Sequence, residues 1–148
     1  MHVTPSRVQY QRVISTIVQA HTVPCAVERL YAGFASRNPL MLASALHERF
    51  TLFASAGMPL GVGGRHDGAE RAITDVWGHV NGAYDIAPLP SRMWTTPEGV
   101  IVVHGWYRGV VRRSCEPVDA EFVHLLQVED GLVVELRQIT DTAAWGCP

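Results

Sequence analysis

Residues 121–141 (EFVHLLQVEDGLVVELRQITD) constrain the fold more than any other stretch of the chain. Two runs rich in β-formers flank Glu129-Asp130-Gly131, which predicts a β-hairpin. With these three residues as the loop, Gly131 takes the left-handed conformation and creates a bulge, and His124 pairs with Leu136. A two-residue loop would place Arg137 opposite His124, because a one-residue slip exchanges the faces of a strand. We favour the three-residue loop because it separates the charges from the apolar residues.

One face of this predicted hairpin is apolar except at two positions. It carries Phe122, His124, Leu126, Val128, Leu132, Val134, Leu136 and Gln138. The charged side chains of Glu135, Arg137 and Asp141 fall on the opposite parity. Polar residues on a buried face require hydrogen-bond partners and often serve function. His124 and Gln138 are therefore the first candidates for a functional pocket.

The composition excludes several classes of function. A chain of 148 residues, 47% hydrophobic and 18% charged, predicts one globular domain with a sizeable core. The net charge of −2, with no basic cluster beyond Arg112-Arg113, argues against nucleic-acid binding. All 12 basic residues are arginine, so a Schiff-base lysine is excluded. Three widely spaced cysteines suit neither a disulfide framework nor a zinc site.

The N-terminal segment differs from the rest of the chain. Residues 1–23 are expected to form a helical extension with an apolar stripe at Val13, Ile14, Ile17 and Val18, followed by a single domain over residues 24–148. The segment lacks the basic start and continuous apolar run of a signal peptide. Apolar runs elsewhere are too short to span a membrane. We expect a cytoplasmic protein that does not bind membranes.

The order of the remaining elements indicates an α+β fold. Helical spacing predicts a helix over residues 25–36, and Asn38-Pro39 opens a short second helix to about residue 46. Residues 50–55 are predicted to be a strand, and Asp67 and Glu70 resemble a capping box that opens a third helix ending at Gly82. Strands are predicted over residues 84–95, bent or at a sheet edge because of two prolines, and over residues 100–111. The plan is three helices on one face of a curved, mixed or antiparallel sheet.

The strand over residues 100–111 has two distinct faces. One carries Val102, His104, Trp106 and Arg108, and the other carries Ile101, Val103, Gly105 and Tyr107. No charge pattern decides which face points inward. We take the face with His104 and Trp106 as the pocket face, which would bring a second histidine near His124.

These motifs resemble a known family. The string V-E-R-L-Y-A-G-F early in the chain, a capped third helix, and F-V-H-L-L-Q-V-E-D-G-L-V-V-E-L-R-Q-I-T-D at the end resemble the SnoaL-like branch of the nuclear-transport-factor-2-like superfamily. The resemblance covers roughly residues 25–145. It implies a cone of sheet and helices that encloses one pocket. The superfamily includes cyclases, isomerases, dehydratases, epoxide hydrolases and non-catalytic binding proteins.

The resemblance assigns roles residue by residue. His124 resembles the pocket histidine of SnoaL-type polyketide cyclases and the oxyanion-binding aspartate of ketosteroid isomerases. Gln138 stands where the cyclases and limonene-epoxide hydrolases have a catalytic aspartate, and it cannot ionise. The isomerase base and its helix tyrosine would fall near Ala54 and Leu30, so both groups are missing. His104 together with His124 resembles dehydratases of the scytalone type.

The sequence thus predicts a cofactor-free acid–base enzyme of secondary metabolism, a cyclase, isomerase or dehydratase, since histidine exchanges protons near neutral pH. Its substrate would be an apolar, polyketide-like molecule, aromatic or polycyclic. The candidate catalytic residues are His124, His104 and Gln138, and the candidate substrate contacts are Trp106, Trp77, Tyr84, Trp94, Phe122 and Leu136. The alternatives are a non-catalytic binding module and an epoxide hydrolase-like enzyme. Metal-assisted catalysis is disfavoured because the two histidines lack a carboxylate as third ligand.

The sheet face opposite the predicted pocket is also expected to be apolar. On the chosen parity it carries Ile101, Val103, Tyr107, Val123, Leu125 and Ile139. An apolar patch of this extent more often marks an interface than open surface. We expect a homodimer through this face, or alternatively an N-terminal extension that folds back over it.

Overall fold

The computed structural model describes residues 23–148. The predicted extension over residues 1–23, including its apolar stripe, lies outside the described residues except for Val23. The described elements are, in chain order, α1 (Cys25–Ser36), α2 (Pro39–Ala45), β1 (Leu46–Ala54), a 3₁₀ turn (Pro59–Gly61), β2 (Gly64–Asp67), α3 (69–83), β3 (Tyr84–Thr95), β4 (Ile101–Val111), β5 (Pro117–Glu129), β6 (Leu132–Thr140) and a 3₁₀ turn (Thr142–Trp145). Within this part of the chain, no helix has the length and apolar character needed to cross a membrane.

The first two helices follow the local signals of the sequence. Helix α1 has the predicted bounds and ends where Arg37 adopts a left-handed conformation, with φ of 51°. The Asn38 side chain caps α2 by accepting hydrogen bonds from the backbone N–H groups of Leu40 and Met41, and Pro39 occupies the first turn. Both helices therefore begin and end close to where capping and helical spacing predict.

The third helix departs from the prediction at both ends. It begins at Ala69 after Gly68 and has no side-chain cap, because the Asp67 carboxylate accepts hydrogen bonds from Thr51 and Arg65 instead. It also continues through Gly82. The predicted capping box and helix end are therefore wrong. Its central turns, Ala72–Gly78, form a π-helix, a conformation that often accompanies functional sites.

The six strands form one mixed, curved, unclosed sheet with the order β2-β1-β6-β5-β4-β3. Only the β1–β6 pair is parallel among the pairs described. Strand β3 lies at one edge, as its two prolines predict, and its register shifts between Pro90 and Arg92. The α+β class, with three helices on a curved sheet, is confirmed.

The hairpin of β5 and β6 has a shorter loop than we favoured. Asp130 and Gly131 alone form the turn, both with positive φ, and the register shifts between Gln127 and Val128. The three-residue loop and the pairing of His124 with Leu136 are therefore wrong. The shift leaves one extra residue in β6 and restores the parity, so His124 pairs with Gln138. The prediction that these two polar residues share the apolar inner face is confirmed.

The parity of β4 is the reverse of the prediction. Val103 pairs with His124, and Gly105 pairs with Phe122, so these four residues share the inner face. A Cβ atom on Gly105 would lie 2.9 Å from the Phe122 ring and 2.2 Å from the carbonyl oxygen of Leu89. Glycine at this position therefore allows β3 and Phe122 to approach closely. The inner face of β4 carries Ile101, Val103, Gly105 and Tyr107, all buried, and the outer face carries Val102, His104, Trp106 and Arg108.

Candidate functional site

A cavity lies between the inner face of the sheet and helices α1 and α3. Together with its mouth it encloses about 610 Å³ of empty space, of which about 50 Å³ admits the centre of a water molecule. It is therefore narrow, with room for a few waters in this conformation. Its lining is Phe34, Leu52, Ala54, Met58, Val76, Trp77, Val80, Asn81, Ile86, Pro88, Tyr107, His124, Leu136, Gln138 and Trp145.

His124 is the buried polar residue at the floor of this cavity. Its side chain is 2% exposed and stacks on the Phe122 ring at a centroid distance of 4.1 Å. Its Nδ1 atom lies 2.7 Å from the hydroxyl oxygen of Tyr31, and its Nε2 atom lies 2.7 Å from the hydroxyl oxygen of Tyr107. Burial disfavours the imidazolium and lowers the pKa of His124 to about 3. His124 is therefore neutral at physiological pH, with both ring nitrogens hydrogen-bonded.

Tyr107 is held by a second side chain besides His124. The side-chain amide of Gln138 donates a hydrogen bond of 3.0 Å to the Tyr107 hydroxyl oxygen. Gln138 Oε1 accepts a bond of 3.2 Å from the backbone N–H of Ser55, which orients the amide. Burial raises the pKa of Tyr107 well above its usual value. Tyr31, His124, Tyr107 and Gln138 thus form a continuous hydrogen-bonded set, here named the polar chain.

Apart from Asn81, the remaining wall of the cavity is apolar, and none of it is charged. No Asp, Glu, Arg or Lys side chain is among the lining residues of the described chain. Phe34 and Trp77 meet edge to face at a centroid distance of 4.8 Å. A second cavity, between the three helices, shares Phe34, Trp77 and Asn81 with the first. This aromatic pair therefore separates the two spaces, and the site suits a neutral, apolar ligand.

Four of the predicted site residues line the cavity: His124, Gln138, Trp77 and Leu136. Two others are buried but do not line it. Tyr84 donates a hydrogen bond of 3.2 Å to the carbonyl oxygen of Gly146, and Phe122 packs behind His124 and Tyr107. The prediction that these two residues contact the substrate is therefore corrected, because both support the wall of the cavity from behind.

Three predicted site residues lie on the outer face of the sheet. His104 Nε2 lies 2.6 Å from Glu121 Oε1, at a side chain that is 24% exposed. Trp106 packs beside His104 and under the guanidinium of Arg108. Trp94 pairs with Val102 and is 37% exposed. Assigning His104 to catalysis, and Trp106 and Trp94 to substrate binding, is wrong because the parity of β4 is reversed.

Sequence reasoning missed Tyr31, Tyr107 and Trp145. Tyr31 lies on the apolar stripe of α1, where helical spacing alone indicates a core residue. Tyr107 lies on the face of β4 that the prediction places outside the pocket. Both faces of β4 carry apolar and aromatic residues, and the single charge of Arg108 near the end of the strand is too weak a signal to fix its parity. Trp145 offered no local signal, since it closes the cavity from the last turn.

The described residues offer no metal centre. Within residues 23–148, no group of three or more His, Cys, Asp or Glu side chains has the geometry to hold a metal ion. His104 and His124 lie on opposite faces of the sheet, so the two cannot share a ligand atom. Proton transfer and hydrogen bonding by the polar chain are the chemistry that this cavity can supply.

Comparison with known proteins identifies the architecture. No family model matches the chain. No curated protein matches it either. A nuclear-transport-factor-2-like protein of unknown function from Burkholderia pseudomallei K96243 is 27% identical, with a TM-score of 0.71 over 80% of this chain and 89% of that one. TerC, crystallised with polyporic acid, is 25% identical, with a TM-score of 0.72 over 80% and 91% of the respective chains.

A third solved structure shares the fold. A protein with a ketosteroid isomerase-like fold from Catenulispora acidiphila, in complex with trimethylamine, is 16% identical, with a TM-score of 0.70 over 86% of this chain and 96% of that one. At this identity the likeness concerns the fold alone. Taken together, the solved structures confirm the architecture that the resemblance implied, and they are consistent with the SnoaL-like branch.

Proposed function

We propose that this chain, a member of the nuclear-transport-factor-2-like superfamily, is a cofactor-free enzyme that acts by acid–base chemistry on a neutral, apolar small molecule. The reaction would be a cyclisation, an isomerisation or a dehydration. Proteins with an isomerase-like fold are among the structures that share this architecture, and this supports an enzymatic role. The substrate we favour is a polyketide-like compound of secondary metabolism.

One observation carries this proposal: the polar chain ends at the floor of a largely apolar cavity. A ligand that fills the cavity contacts hydrocarbon on most sides, and at the floor it meets the polar chain at Tyr107, His124 and Gln138. Hydrogen bonds in such a low-dielectric site act strongly on charge that develops during a reaction. The polar end of the ligand is therefore the place where chemistry would occur.

The roles within the polar chain follow from its contacts. Tyr107 touches both other polar residues of the floor, so it is the group that would contact the reacting atoms of the ligand. His124 is saturated by two tyrosines and would act through Tyr107, as its positioning residue and proton partner. Gln138 cannot ionise, and it holds the Tyr107 hydroxyl in place.

The test is turnover of a panel of enolisable polyketide-type compounds, followed by mass spectrometry and absorbance. Tyr107→Phe and His124→Gln should each lower kcat by about 100-fold, the usual contribution of a positioned proton donor. His104→Gln is the matched control on the outer face and should stay within about twofold of the wild type. Unchanged turnover in both inner-face variants would contradict the assignment.

A non-catalytic binding module is the second candidate. The supporting observation is that no carboxylate of residues 23–148 lines the cavity and that both nitrogens of His124 are already hydrogen-bonded. If the protein only binds, Tyr107→Phe should weaken the affinity for a compound that is never converted. Binding without turnover across the whole panel would favour this candidate over the enzyme.

A further inference from the structure

The hydrogens of the polar chain can be counted. Each tyrosine hydroxyl has one hydrogen to donate, and a neutral imidazole has one N–H donor and one acceptor nitrogen. The Gln138 amide must donate to Tyr107, because its oxygen already accepts from the Ser55 backbone N–H. Two arrangements of the hydrogens remain between Tyr31, His124 and Tyr107.

In the first arrangement, Tyr107 donates to Nε2 of His124, and Nδ1–H donates to Tyr31. The Tyr31 hydrogen is then left without an acceptor, because His124 is its only hydrogen-bonding partner within residues 23–148. Tyr31 is buried and does not line the cavity. A buried donor without a partner is costly, so this arrangement is disfavoured.

In the second arrangement, Tyr31 donates to Nδ1, and Nε2–H donates to the Tyr107 oxygen. That oxygen then accepts two hydrogen bonds, one from His124 and one from Gln138. The hydrogen left over is the hydroxyl hydrogen of Tyr107, which lines the cavity and can meet a ligand or a water there. The hydroxyl without a protein acceptor among the described residues is then that of Tyr107, which lines the cavity, and not that of Tyr31, which does not.

We propose that His124 carries its hydrogen on Nε2, so that Tyr107 presents a free O–H to the cavity and selects ligands through a hydrogen-bond acceptor such as a carbonyl oxygen. Tyr31 is the positioning residue that favours this direction. Two donations into the Tyr107 oxygen polarise its O–H bond and make it a stronger donor. The burial that keeps His124 neutral is consistent with a single ring hydrogen.

This inference makes the proposed function more specific. It rests on the proposed function only in that a ligand occupies the cavity. It narrows the substrate to neutral molecules with a carbonyl group, such as ketones, quinones or lactones. It also identifies the oxygen on which negative charge would develop in an enolisation, since a fixed O–H donor stabilises such charge. Ligands whose polar group can only donate would be disfavoured.

The hydrogen position can be measured without any substrate. In the full chain labelled with ¹⁵N-histidine, the His124 signals are identified by their loss in His124→Gln and by an imidazole that stays neutral in mild acid. We expect a protonated, pyrrole-type Nε2 and an unprotonated, pyridine-type Nδ1. The opposite tautomer would overturn the proposal whatever the turnover assays show.

The ligand side is tested with ¹³C-carbonyl acetophenone as the probe and infrared spectroscopy. The carbonyl stretch of the bound probe should shift to lower frequency in the wild type and lose that shift in Tyr107→Phe. Tyr84→Phe, which removes a buried hydroxyl outside the cavity, is the matched control and should keep the shift. Ethylbenzene lacks the oxygen and should bind at least tenfold more weakly.

The outcomes separate the two proposals. A probe that stays unbound up to its solubility limit, or binds with an unshifted carbonyl, overturns recognition through an acceptor atom. A shifted carbonyl in a protein that converts no compound supports this inference and counts against the enzyme proposed above.

Discussion

On the inner face of the sheet, both ring nitrogens of His124 meet tyrosine hydroxyls and its side chain is 2% exposed. On the outer face, His104 lies one strand away, is 24% exposed and pairs with Glu121. The two histidines therefore lie in different electrostatic environments. Desolvation holds His124 neutral, whereas the pair of His104 is exposed to solvent, which screens it.

The contrast extends to the neighbours of the two histidines. The inner face combines tyrosine, glutamine and hydrocarbon around a cavity. The outer face combines ion pairs, such as Arg108 with Asp119, with stacked contacts, such as the guanidinium of Arg137 over the Phe53 ring. The inner face therefore favours chemistry at neutral groups, whereas the outer face favours association or solubility. The face of the sheet on which a histidine lies thus determines its environment and the chemistry it can perform.

The largest effect that the comparison predicts comes from placing a charge on β4. Val103→Glu puts a carboxylate at a fully buried inner position and should lower the free energy of unfolding by about 4 kcal/mol or more. Val110→Glu makes the same change on the outer parity of the same strand and should cost about 1 kcal/mol or less. Urea unfolding followed by circular dichroism measures both. Equal costs would mean that the faces are not distinguished as described.

A smaller effect is predicted for pH. The unfolded chain protonates His124 near its ordinary pKa of 6.5, and the folded chain only near 3. Between these values the unfolded state binds more protons, so this residue's contribution to stability falls as the pH drops through the window. The loss should reach a few kcal/mol, at about 1.4 kcal/mol for each pKa unit.

The measurement is the urea midpoint between pH 7 and about pH 4, within that window. His104→Gln removes a histidine on the outer face and leaves the contacts of His124 intact, so it is the matched control. His124→Leu should lose most of the slope, although it also removes the partner of two hydroxyls. A slope in His124→Leu that matches the wild type would show that other groups cause the pH dependence.

The smallest effect on folding is expected from the test of assembly. The reversed parity of β4 changes the apolar patch predicted on the outer face, here named the apolar band. Of its predicted members, Ile101, Val103 and Tyr107 are buried on the inner face. The others, Val123, Leu125 and Ile139, lie on the outer face. Val102 and Trp106 join them there. We propose that this corrected band forms a two-fold homodimer contact.

Leu125→Glu should convert the proposed dimer to monomer with little change in the fold of the chain. Sedimentation at micromolar concentration measures this directly. Gln127→Glu introduces the same charge on the same strand and the same face, and should leave the mass unchanged. A wild-type protein that sediments as a monomer would contradict the dimer and favour a covering of this face by the N-terminal extension.

The sequence by itself was sufficient for the α+β class, the bounds of α1 and the shared face of His124 and Gln138. Each of these depends on a local periodicity or on a capping residue that acts within a few positions. The helical spacing of α1 and the alternation in the last hairpin are of this kind. The strand over residues 84–95 was likewise placed correctly, at an edge, by its prolines.

Tertiary structure alone decided which face of β4 points inward and which residues complete the polar chain. The parity of a strand is set by its neighbours, and both faces of β4 contain apolar and aromatic residues, so the alternation was ambiguous. Tyr31 reaches His124 across 93 positions of sequence, and no local pattern encodes such a contact. A pocket between a sheet and its helices is built from such distant contacts. For that reason the prediction places His104 in the pocket and Tyr107 outside it, whereas the structure shows the reverse.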